Sequence, residues 1–150
     1  MDQPYPYIRE FAYQYTFVSH GKERIEKIVT FNSTPIPNLF NAGFGDLTED
    51  GTIDDHVRSN NGDIIKVLST IIHILKTFLH EHPKAKVAFI GSTPNRTALY
   101  ARILRTYYEV FSKEFIISAL ILENDLYKEV LFNPSSPGPY LSFYIKLLFP

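Results

Sequence analysis

From about Asn61 to His80 the apolar residues recur at helical spacing and fill half a cylinder rather than a narrow stripe. At 100° per residue Ile64, Ile65, Val67, Leu68, Ile71, Ile72, Ile74, Leu75, Phe78 and Leu79 share one side. Lys66, Ser69, Thr70, His73, Lys76, Thr77 and His80 take the other. A helix this broadly apolar has to cover a sheet, which commits the chain to at least two layers. Asn60 is placed to cap it, Asp63 falls at N3 where the helix dipole favours an acid, and Pro83 ends it.

The strands of that sheet announce themselves by period two. Phe11, Tyr13, Tyr15 and Phe17 alternate through Phe11–Ser19, and Ile25, Val29 and Phe31 mark one face of Arg24–Phe31. With His20-Gly21-Lys22-Glu23 between them, the two segments read as a hairpin. A third strand over Leu39–Leu47 carries two glycines, a sign of a bulge or a close backbone approach. Thr52–Val57 reads as a short return strand. Lys86–Ile90 is nearly all apolar, as a central strand would be. A second helix is expected from Pro94 to about Ser112, and further strands over Phe115–Leu122 and Tyr140–Phe149. Residues 1–10 read as an irregular lead-in and 123–139 as a long polar loop. The order predicts an α+β fold. It would be a single two-layer domain over residues 1–150, with a mixed, mainly antiparallel sheet of five to six strands and two helices packed on it.

The junction between the Lys86–Ile90 strand and the second helix carries the strongest functional signal. Thr93 suits an N-cap and Pro94 the first helical position, so Arg96 falls at N3, where the positive helix end repels a cation. In projection Arg96 also enters the apolar stripe of Leu99, Tyr100, Ile103, Leu104, Tyr107, Val110 and Phe111. A guanidinium there needs negative charge close by: an internal carboxylate such as Asp46, Asp54, Asp55 or Asp63, or an anionic ligand. Gly91, Ser92, Thr93 and the free N–H groups of the first turn would line the cradle for such a ligand.

Asp46, Asp50, Asp54, Asp55 and Asp63 crowd one segment, and Asp46, Asp54, Asp55 and Asp63 are candidate ligands for a divalent metal. A calcium loop starting at Asp46 fails, because its twelfth position is Val57 and no helix enters it; a turn at Glu49-Asp50-Gly51 is the plainer reading. His73 and His80 stand about two turns apart, too far for one metal. Ser92 lies outside a nucleophile elbow. With 15 basic and 16 acidic residues the chain is no generic nucleic-acid coat. Having no cysteine, it has neither disulfides nor thiolate chemistry. It shows no signal-peptide pattern and no apolar run of about 20 residues, which points to a cytoplasmic protein off the membrane.

Gly43-Phe44-Gly45-Asp46, Ser59-Asn60-Asn61-Gly62-Asp63 and Gly91-Ser92-Thr93-Pro94-Asn95-Arg96-Thr97-Ala98-Leu99-Tyr100 together resemble a family of small uncharacterised bacterial proteins common in Bacteroidetes. The similarity runs over about Phe11–Phe111. It implies a bacterial cytoplasmic protein and implies that Asp46, Asp63 and Arg96 belong together, but it lends no reaction. The leading expectation is a binding module for a phosphate- or nucleotide-like anion. Arg96 would be the fork, Ser92 and Thr93 the hydroxyl donors, and Asp63 or Asp46 the residue orienting the arginine. Two alternatives stand beside it. One is a metal-dependent phosphodiesterase or nucleotide-processing enzyme using the acids. The other is an interaction protein, a homodimer or toxin–antitoxin component, with a purely structural cluster. No cofactor is indicated.

Overall fold

A computed structural model describes residues 3–11, 13–47, 53–54, 61–90 and 94–150. The strands are β1 (Tyr7–Phe11), β2 (Gln14–His20), β3 (Arg24–Ser33), β4 (Leu39–Leu47), β5 (Ile53–Asp54), β6 (Lys86–Phe89), β7 (Phe115–Glu123), β8 (Leu126–Leu131) and β9 (Ser142–Leu147). The helices are α1 (Ile64–Glu81), α2 (Pro94–Thr106) and α3 (Tyr108–Ser112). The chain groups into two compact units, Met1–Asn32 with Ala42–Phe78 and Ser33–Asn41 with Leu79–Pro150.

In the first unit the strand order is β1-β2-β3-β4, and β5 pairs β4 through Asp46↔Asp54. The hairpin β2–β3 is antiparallel, with Tyr15 opposite Val29 and Phe17 opposite Lys27. α1 covers this layer: Phe78 stacks on Phe31 with ring centroids 4.1 Å apart and meets the edge of Tyr13. The apolar half-cylinder is turned relative to the expectation. Ile64 is exposed, whereas Thr70 is fully buried. The reason lies at the start of the chain. Tyr5 N–H donates to Thr70 Oγ1 at 2.8 Å, and the Tyr7 hydroxyl bonds Thr77 Oγ1 at 2.7 Å and His73 Nδ1 at 3.1 Å. The polar row Thr70, His73, Thr77 is thus a docking line for the leading residues.

In the second unit the order is β6-β9-β7-β8, with every pairing antiparallel. Val87, Phe115, Ile117, Phe143, Ile145 and Leu147 form its core. The face of α2 that is buried runs through Thr97, Ala101 and Leu104, one turn apart.

The expected five to six strands and two helices are corrected. Among the described residues hydrogen bonding orders eight strands in these two series, β5 is a ninth, and there are three helices. Two strands lie where loops were expected. All of β1 but Phe11 falls inside the lead-in: Pro4 and Pro6 stop short of Tyr7, and Tyr7 pairs Phe17. β8 falls inside the 123–139 loop. Asn124 and Asp125 both adopt positive φ, 52° and 63°, the signature of a two-residue hairpin turn joining β7 to β8. The third helix arises because the expected 94–112 helix breaks at Tyr107, where Thr106, Tyr107 and Tyr108 form a run of poor helix formers.

Candidate functional site

Gly62, with φ +82°, turns the chain into α1. α1 starts three residues later than Asn61, so Asp63 is not at N3. It stands just outside the helix, and its carbonyl accepts the Val67 N–H at 3.0 Å. Asn60 lies outside the described residues. The amides of Ile64, Ile65 and Lys66 precede that first bond and have no partner within the helix.

Around this start a hydrogen-bonded cluster joins distant parts of the chain. The hydroxyls of Tyr5 and Ser19 both donate to Asp63 Oδ2, at 2.6 and 2.5 Å. Buried Asn61 clamps the β2–β3 turn: its side chain accepts from Glu23 N–H at 2.7 Å, and donates to Glu23 O at 2.8 Å and Ser19 Oγ at 2.9 Å. Its carbonyl accepts from Lys22 N–H at 2.9 Å. The turn is so close that a Cβ on Gly21 would stand 1.7 Å from that carbonyl oxygen. Gly21→Ala is therefore expected to cost about 3 kcal/mol, the upper end for overpacking, measured as a lowered urea midpoint. A cost below about 1 kcal/mol would mean that Asn61 does not hold the turn.

A cleft of about 550 Å³ opens beside the cluster, walled by Tyr5, Pro6, Ile64 and Ile65 and carrying His20, Asp63 and Lys66. Burial raises the Asp63 carboxyl's pKa, but the bonds from Ser19 and Tyr5, its own backbone N–H and the field of Lys27 outweigh this and hold it below its ordinary 3.8. Burial and the bond to Asp63 push the Tyr5 phenol upward from 10.0. The Lys66 ammonium rests over the Tyr5 ring, 4.5 Å from its centroid, and makes no ion pair among the described residues.

A depressed carboxyl stabilises the fold above its ordinary pKa, and that contribution is lost as pH falls below it toward the folded value. Ser19→Ala, which removes one of the bonds, should therefore shrink the loss of stability as pH falls below 3.8, followed by denaturant midpoints. An unchanged acid limb would detach Ser19 from Asp63's ionisation.

Asp46 lies elsewhere in the first unit, on β4, where the Lys27 ammonium bonds its Oδ1 at 2.5 Å. Asp46 and Asp63 thus have Lys27, Tyr5 and Ser19 as partners, residues not picked out from the sequence. Of the strand–turn–helix site, Gly91, Ser92 and Thr93 lie outside the described residues, as does Asp55. α2 does begin at Pro94, so Arg96 is its third residue; the side chains of Arg96 and Asp54 are also outside the description. Among the described residues no three His, Asp or Glu side chains converge into a metal-holding group, and no helix is long and apolar enough to cross a membrane.

No curated protein and no solved structure matches the chain. A family model does, over residues 1–147, and the chain belongs to that family: DUF6934, a family of unknown function.

Proposed function

We propose that this chain is a binding module for a small ligand with an anionic group, held in the cleft at the start of α1. The observation that carries the reading is Lys66, an ammonium lining a cleft with no ion-pair partner among the described residues. The neighbouring amides of Ile64, Ile65 and Lys66 add donors for the same anion. Binding is favoured over proton-transfer catalysis by the two shifted groups. Asp63, lowered, stays anionic at neutral pH, and Tyr5, raised, stays protonated. The metal-dependent phosphodiesterase gains no support, since Asp46 and Asp63 are each engaged by other side chains.

Titration of the labelled protein with acetate and with orthophosphate, followed by amide NMR, tests the reading. Shifts should centre on residues 62–66 and disappear in Lys66→Met. Shifts that ignore this segment, or survive the substitution, would refute it.

A second reading keeps the anion at the strand–turn–helix of residues 87–100, with Arg96 as fork and Gly91, Ser92 and Thr93 as cradle. One observation favours it. Ser142 immediately precedes Phe143, the partner of Phe89 at the end of β6, and its buried hydroxyl has no hydrogen-bond partner among the described residues. In that case orthophosphate would move the amides of 95–97 and of Ser142, and Arg96→Ala would abolish the response while sparing the fold. Shifts confined to 62–66 would reject it.

A further inference from the structure

Asp63 and Lys66 are three residues apart at the mouth of one cleft. Asp63 stands just before the helix and Lys66 in its first turn, so an acid and a base lie close in sequence and could pair. Here they do not. Tyr5 holds both apart: its hydroxyl bonds Asp63 at 2.6 Å, and its ring carries the Lys66 ammonium at 4.5 Å. Ser19 fixes the carboxylate from a second direction at 2.5 Å. The cleft therefore presents one negative and one positive charge, and Pro6, Ile64 and Ile65 also line it.

An ion pair kept open in this way suits a ligand that carries the opposite pair of charges on adjacent atoms. A lone anion would gain from Lys66 but be repelled by Asp63, and a lone cation would meet the reverse. We infer that the cleft takes an α-amino-acid-like zwitterion, its ammonium at Asp63, its carboxylate at Lys66 and the amides of Ile64 and Ile65, and an apolar side chain against Pro6 and Ile65. This rests on the anion-binding reading of the same cleft and adds the cationic half of the ligand. The volume of about 550 Å³ leaves room for a side chain of leucine size.

The full chain is titrated with L-leucine, N-acetyl-L-leucine, L-leucinamide and acetate, and amide shifts at 62–66 are followed. L-leucine should bind about tenfold or more tightly than each of the others, because each lacks one charge or the apolar body. Asp63→Asn should weaken L-leucine but not acetate, and the L-leucine comparison in wild-type protein stands even if that variant is unstable. N-acetyl-L-leucine or acetate binding as tightly as L-leucine would overturn the zwitterion while leaving the anionic ligand intact. L-leucinamide binding as tightly as L-leucine, or no response at 62–66 to any probe, would overturn both.

Discussion

Phe78→Ala is expected to lower the unfolding free energy by about 3–5 kcal/mol, a large part of what a folded protein has to spare. Phe78 has no solvent exposure, and its ring lies nearly parallel to that of Phe31, with an interplanar angle of 13° and centroids 4.1 Å apart. Tyr13 meets its edge at 82°, so truncation removes the contact between α1 and two aromatic rings of the first unit's strand layer at once. Removing the ring opens a cavity that Phe31 and Tyr13 cannot both collapse into, since Phe31 is also packed on Tyr15. Phe78→Leu, which keeps most of the volume, should cost about 1.5 kcal/mol or less. Equilibrium urea unfolding measures both; similar losses for the two variants would show that packing at this contact is not what fastens the helix.

The second large effect belongs to Lys27 and Asp46. Their side chains are 6% and 15% exposed, and the ammonium also lies 5.8 Å from the Phe44 ring centroid. Asp46→Ala leaves a buried cation without this partner and should cost about 3–5 kcal/mol. Replacing both charges, as in Lys27→Met with Asp46→Leu, should restore most of that loss, because the desolvation of two ions disappears with the pair. Denaturant midpoints of the single and double variants form the test. If the double variant is as unstable as the single one, the pair is not the source of the cost.

Lys27 is also a signal that the sequence itself carries. Ile25, Val29 and Phe31 read clearly as one face of a strand, and Lys27 falls in the same row, a lysine among apolar neighbours. That is the same anomaly that singled out Arg96, and it called for the same conclusion: a carboxylate nearby. The breadth of α1 and the start of α2 at Pro94 were legible because capping and period are local signals. β1 was hidden by the prolines before Tyr7, and β8 by reading Asn124-Asp125 as loop rather than as a tight turn. The partners of Asp63 were not legible at all. Tyr5 and Ser19 lie 58 and 44 residues away, and no local pattern announces a bond of that span. Asn61 was closer to view: an Asn-Gly-Asp run before a helix marks a turn, but its hold on the β2–β3 turn depends on Gly21, forty residues earlier.

The proposed binding site depends on Tyr5 keeping two neighbouring charges from neutralising each other. The pKa of the Asp63 carboxyl, followed by carbon NMR in wild type, Tyr5→Phe and Lys66→Met, reads this directly. A value below 3.8 in wild type is expected, rising when the phenol is removed and unmoved when the lysine is removed. A rise in Lys66→Met as large as in Tyr5→Phe would mean that the two charges are paired already and that the cleft has nothing left to offer a ligand.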